Sequence, residues 1–307
     1  MGTFFSITCA VAASLAFNYA MYAQKKAVGS LPAVELRPSW SVFKAFLTNG
    51  PWLASLLFIL GGSALYAYAL ATAPISIVQP IMASGVALLA YLAIKNLGEE
   101  PRRKDLVAIG MSILGVLLVS ISLAEGLPKN VKHSAGSLWI ITAVLVALSA
   151  IIPFLARGRP AGQKSAALGI TVGILYGTSA VFAKLLLVDW SGQWAQKGIA
   201  VAFSSIFVVA WAVTLIPAFI VLQAALQKGM AIVVAPIVAG LNQLVPIAIG
   251  MIALHEKLPR SIWLGIIRVL GFVLVLSATV ILSRRAETPS PTAGSDGTRV
   301  AAEAASG

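Results

Sequence analysis

In 307 residues, hydrophobic side chains make up 59% and charged ones only 10%, against about 45–50% and 25% in soluble domains. That balance excludes an ordinary soluble enzyme or binding domain. The net charge of +12 raises nucleic acid as a partner, but the charges gather at the ends of apolar runs, which excludes it.

Residues 1–24 contain no Asp, Glu, Lys or Arg and predict a first span over 2–23. No basic segment precedes this run, whereas Lys25 and Lys26 follow it. That order suits an anchor with its N-terminus outside and not a cleaved signal peptide. Residues 45–94 form one uncharged block of 50. A bilayer core about 30 Å thick takes about 20 residues of helix, so the block holds two spans, 51–71 and 74–95, with a turn near Ala73-Pro74. Uncharged runs at 106–124, 134–156, 165–183, 198–227 and 229–254 predict spans over 105–123, 137–156, 165–187, 199–223 and 229–254. A last span, 261–283, carries one charge, Arg268. Lipid satisfies no open backbone group and the runs are too long for barrel strands, so all nine are helices. Cys9 lies inside a span and has no intrachain partner. After Ser283 the composition turns to Pro, Ser, Thr, Gly, Ala and Glu, and 286–307 reads as a disordered cytoplasmic tail.

If the spans alternate, fifteen Lys and Arg fall on one side and five on the other. The positive-inside rule then puts the N-terminus outside and the C-terminus in the cytoplasm. Short loops and the lack of a sorting signal point to a bacterial inner membrane.

Similar residues recur 156 positions apart. Ile77-Val78-Gln79-Pro80-Ile81 matches Val233-Val234-Ala235-Pro236-Ile237, Glu100 matches Glu256, and Leu114-Gly115-Val116 matches Leu270-Gly271-Phe272. The expected architecture is therefore all-α integral membrane, one transmembrane domain over 1–283. Repeat 1 (1–123) and repeat 2 (165–283) are four helices each, joined by a linker helix at 137–156. Five helices separate equivalent positions, an odd number, so the second copy is inverted, as in secondary transporters whose site lies at the repeat interface. The first helices match at a slightly different offset, Lys25 with Lys184 and Asn18 with Gly177. Ala10-xxx-Ser14-xxx-Asn18 and Gly169-xxx-Gly173-xxx-Gly177 are ridges that let helices approach closely in lipid.

The inverted four-helix repeat, the Pro80 and Pro236 spans and the glutamates of Leu97-Gly98-Glu99-Glu100 and Leu254-His255-Glu256 resemble the drug/metabolite transporter superfamily. Members of its EamA-like branch usually have ten spans. The count of nine looks more like the NIPA-type, magnesium transporter-like branch. So do Tyr22-Ala23-Gln24-Lys25-Lys26, Ala71-Thr72-Ala73-Pro74 before Val78-Gln79-Pro80, and Gln223-Ala224-Ala225-Leu226 before Pro236. The resemblance implies magnesium transport, but where that branch carries a Gly-Glu pair this chain reads Gly62-Ser63. Mg²⁺ favours oxygen ligands that include carboxylates, and no Asp or Glu lies in the middle of a span.

Arg268 is the one charge well inside a span, either a cavity charge for an anionic group or a snorkelling side chain. Lys25, Lys26 and Lys184 end the first helix of each repeat, as anchors or entrance guards. Glu99, Glu100 and Glu256 stand beside basic residues, where interfacial ion pairing is expected. Uncharged polar groups inside spans need partners or water. With neighbouring aromatic rings they describe a cavity wall. The site is expected midway across the membrane, between the first three helices of each repeat, with Asn18, Tyr22, Tyr66, Gln79, Tyr176, Gln223 and Asn242 as contacts and Arg268 as charge partner. Pro80, Pro217, Pro236 and Pro246 loosen helices near it. No catalytic set, metal spacing, phosphate loop or cofactor motif is legible. The reading is a secondary transporter or facilitator of a small polar or amphiphilic metabolite. Alternatives are NIPA-type Mg²⁺ transport and a non-transporting partner of a lipid-carrier or assembly system. The expected partners are a small molecule and the bilayer, with oligomeric state open.

Overall fold

The computed structural model describes residues 2–34, 40–73, 75–123, 135–197, 205–253 and 261–284, less the side chains at 2–3, 70–71, 75–77, 79–80, 83, 135 and 187–197. The described residues form helices and no strand: α1 (Gly2–Val28), α2 (Trp40–Thr48), α3 (Gly50–Thr72), α4 (Ile75–Leu97), α5 (Arg103–Ser122), α6 (Ala135–Leu155), α7 (Ala161–Lys197), α8 (Ile206–Lys228), α9 (Ala231–Ala253) and α10 (Ile262–Ser283). Eight of them, α1, α3 and α5 to α10, are long and apolar enough to cross a membrane. The chain is an all-α integral membrane protein. The span expected at 74–95 coincides with α4, in which Ser84–Leu97 is the described apolar stretch. The expected tail at 286–307, Glu256 and both histidines lie outside the described residues.

Local chemistry sets the helix ends. Asn49 caps α3, its side chain accepting from Trp52 N at 2.9 Å, and Pro51 sits in the first turn, where a missing N–H does no harm. α3 stops before Pro74, since the residue preceding a proline is pushed out of helical geometry. Asp105 in the first turn of α5 accepts from Arg102 N at 2.8 Å, closing that end. α9 is capped from elsewhere. The buried Glu99 carboxylate accepts from Ala231 N at 2.7 Å and Ile232 N at 2.9 Å. Beyond the interfacial ion pairing expected of it, Glu99 thus caps α9. Gly98, with φ of 65°, makes the turn that brings it there.

Three departures from the expected spans stand out, the first being α8, which runs over Ile206–Lys228 where 199–223 was expected. α2 is a short helix before α3 that lies across Lys44 and the start of the uncharged run, and no span was expected there. Its Phe46 is buried edge-on against Trp52 at 5.2 Å, while Trp40 and Phe43 are exposed. α7 runs ten residues past the expected end at 187.

The packing of the first half recurs in the second. α1 packs on α3 and α4, and α4 on α5, while α3 barely meets α4. Likewise α7 packs on α8 and α9, and α9 on α10, while α8 barely meets α9. α6 lies against α7. The ridges meet the third helix of each half. Ser14 Oγ donates to Ile81 O at 3.1 Å or Met82 O at 3.2 Å, and Ser14 and Asn18 lie over Gly85. A Cβ on Gly173 would meet Leu241 Cβ at 2.6 Å, and one on Gly177 would meet Val245 Cβ at 2.7 Å. The halves join along α5 and α10. There a Cβ on Gly115 would meet Gly271 O at 2.9 Å and Val275 Cγ2 at 2.8 Å. One on Gly271 would meet Gly115 O at 2.8 Å and Val119 Cγ2 at 2.7 Å. α9 runs through the middle and is buried along most of its length, Pro236 included.

Candidate functional site: a charge-free cavity between the helices

A cavity of about 1200 Å³ lies between α1, α3, α4, α7, α8 and α9, with α2 along its edge. Its walls are mostly apolar, from residues such as Phe17, Met82, Val86, Val116, Phe219 and Val238. Its polar groups are amides and phenols: Asn18, Gln24, Tyr66, Tyr176, Gln223, Asn242 and Gln243. None of the described lining residues is Asp, Glu, Lys, Arg or His.

Five of the eight expected contacts therefore meet here: Asn18, Tyr66, Tyr176, Gln223 and Asn242. They come from α1, α3, α7, α8 and α9, so the helix packing gathers them. Tyr22 does not join them. It is buried in the core, its ring 5.7 Å from that of Tyr19. The side chain of Gln79 lies outside the described residues. Arg268 is also not at the cavity. It is buried between α5 and α10, where Nε donates to Ser122 Oγ at 3.1 Å and Nη2 to Ser122 O at 3.0 Å. The guanidinium thus caps the last turn of α5, where carbonyls have no helical partner. Arg268 thus does not line this cavity with the other expected contacts.

Orientation is fixed for several amides. Asn18 Nδ2 donates back to Ser14 O at 2.8 Å, leaving the carbonyl oxygen as that amide's acceptor. Trp52 Nε1 donates to Gln223 Oε1 at 3.0 Å, and Gln223 Nε2 donates to Gln24 Oε1 at 3.0 Å. An indole N–H only donates, so Trp52 sets the direction of the whole chain. The chain ends on Gln24 Nε2, which is buried and has no partner among the described residues.

Beside this chain, α1 and α8 are clamped together. Lys25 Nζ donates to Leu226 O at 2.6 Å and to Gly229 O at 2.5 Å, a cation on the C-terminus of α8. Gln227 Oε1 accepts from Val34 N at 2.8 Å, and its Nε2 donates to Pro32 O at 3.0 Å. Of the two roles expected for Lys25, this geometry is closer to a guard than to a lipid anchor. Sequence reasoning passed over Gln24 and Trp52 as site residues. The signal for Gln24 was present: Asn18, Met21 and Gln24 recur at three-residue spacing and share a helix face.

The chain is similar to known proteins along nearly its whole length. The family model described as magnesium transporter NIPA matches residues 2–288. The "Probable magnesium transporter NIPA9" of Arabidopsis thaliana is 26% identical over 287 residues, 90% of this chain and 81% of that protein. No solved structure matches the chain significantly.

Proposed function

The chain belongs to the magnesium transporter NIPA family, a family of membrane transporters and not of enzymes, and on that premise we propose that its cargo is Mg²⁺. The path is the cavity between the two halves, with Asn18, Tyr66, Tyr176, Gln223 and Asn242 of the expected set, and Gln243 beside them, as the polar contacts. The observation that carries the reading is the extent of the family match, which runs through every span.

The architecture proposed is nine spans, with α4 as the ninth, in two inverted four-helix repeats about a pseudo-two-fold axis. Reciprocal contacts support the axis. Gly115 and Gly271 are 156 residues apart, as are Val119 and Val275, and each glycine abuts the other and the other's valine. A contact from i to j that recurs from j to i is what two-fold symmetry requires. The charge split puts the N-terminus outside and the C-terminus in the cytoplasm, and the short loops favour a bacterial inner membrane. Reporter fusions at both ends test this: a C-terminus outside the cell overturns it.

The wide, largely apolar walls favour a second reading, a small amphiphilic metabolite as cargo. The purified protein in proteoliposomes separates the two. Saturable Mg²⁺ entry, reported by a trapped magnesium dye, is the expected result. Metabolite uptake with no Mg²⁺ entry overturns the first reading in favour of the second.

A further inference from the structure

We infer that the cavity takes Mg²⁺ as the hydrated ion, recognised through its own water shell by neutral oxygens. This rests on the Mg²⁺ reading above and goes beyond it in stating the form of the cargo.

The first observation is the absence of charge from the described lining. Bare Mg²⁺ requires six oxygens at about 2.0–2.1 Å in near-octahedral array, and gives up its waters reluctantly even to carboxylates. Among the described residues no three of His, Cys, Asp or Glu are grouped to hold a metal. The buried carboxylates Glu99 and Asp105 already accept hydrogen bonds from Ala231 N, Ile232 N and Arg102 N. Ser63 offers no substitute: it is exposed, and its hydroxyl donates to Ile59 O at 2.7 Å. Neutral dipoles alone do not replace the hydration of a divalent ion.

The second observation is size. A Mg–O distance of about 2.1 Å plus a water radius of about 1.4 Å gives a hydrated sphere about 7 Å across, roughly 180 Å³ in volume. A cavity of about 1200 Å³ accepts that sphere with further water around it. Closing the same walls to 2 Å around a bare ion would require several packed helices to collapse inward.

The third observation is polarity. Waters on a cation point their hydrogens outward, so a site for the hydrated ion presents acceptors. Asn18 supplies a carbonyl oxygen, since the bond from Nδ2 to Ser14 O takes up one of its two amide N–H donors and leaves that oxygen to accept. Tyr66, Tyr176, Asn242 and Gln243 bring further oxygens from three other helices. The clamped end has the opposite character. It finishes in the Gln24 amide donor and the Lys25 ammonium, which repel a cation while α1 and α8 are together.

Hexaamminecobalt(III) tests the inference, because its six ammine ligands do not exchange and, like coordinated waters, offer outward N–H donors. The assay is Mg²⁺ entry into vesicles of neutral lipid containing the full-length protein. Inhibition that excess Mg²⁺ relieves is expected. Asn18→Leu and Asn242→Leu should each raise the half-saturating Mg²⁺ and weaken the inhibition in parallel, several-fold, in protein that still elutes and melts normally. Mg²⁺ entry unchanged in a large excess of the cobalt complex overturns the hydrated form and leaves Mg²⁺ transport standing. Inhibition equally strong in both variants overturns it too, as a membrane-surface effect. If no Mg²⁺ enters at all, the transport reading fails first and this inference with it.

Discussion

Gln223 is the middle of a chain in which every member depends on the next. Changing it to Leu strands the Trp52 indole N–H and the Gln24 carbonyl oxygen in a buried setting. A buried polar group without a partner costs about 1–3 kcal/mol, so Gln223→Leu should lower the thermal midpoint clearly. Trp52→Phe in the Gln223→Leu background should add little, because the partner is already gone. Fully additive losses would show that the chain is not one unit. Arg268 gives the opposite lesson. Its sequence position announced a buried charge, but the partner, Ser122, is 146 residues away and nothing local points to it. Arg268→Gln removes a charge-assisted bond of about 1.5–3 kcal/mol. It should loosen α5 against α10 in a melting measurement and leave half-saturating Mg²⁺ unchanged. A changed affinity in well-folded protein would return Arg268 to the site.

At the scale of helices, the seams are set by glycine. A methyl at Gly271 meets backbone and Val119 with no flexible end to yield, and a methyl at Gly115 meets the mirror-related set. Overpacking of this kind costs about 1–3 kcal/mol. Gly115→Ala and Gly271→Ala should therefore destabilise to a similar degree. Gly265→Ala, with nothing within 4 Å of the added carbon, should be neutral or slightly stabilising. Similar losses at all three positions would count against the close α5–α10 contact. Most spans were legible to within a few residues because lipid tolerates so little charge that uncharged runs mark them. α2 was not, since its nine residues straddle the start of such a run, with Lys44 in the middle, and are too short to register as a span. The extension of α7 was not, because charge marks the edge of the lipid and not the end of a helix. Five of the eight expected contacts line one cavity, legible as uncharged polar groups in apolar helices. Tyr22 lies outside that cavity because periodicity gives a face but not which neighbour that face meets.

Over the whole molecule, the two halves share a packing pattern but not the same closure. α1 meets α8 along the Lys25 clamp, whereas no comparable packing joins α7 to α3 among the described residues, although that pair is the repeat-related counterpart. The α1–α8 side of the cavity is thus held more closely than the α3–α7 side. The clamp includes bonds from the Lys25 ammonium to two carbonyls, and next to it the buried Gln24 Nε2 has no partner among the described residues. Lys25→Met should shift the balance toward a state open on the side where α1 ends at Val28. In a Cys9→Ala background, a cysteine at Ile59, on the cavity wall, reports this through a membrane-impermeant thiol reagent applied from that side. Labelling should be slow with Lys25 present and at least several-fold faster without it, since a lost bond to a charged group of about 1.5–3 kcal/mol corresponds to about a tenfold or greater shift in population. Equal labelling rates would mean that Lys25 only finishes a helix, and that closure resides in the apolar contacts around it.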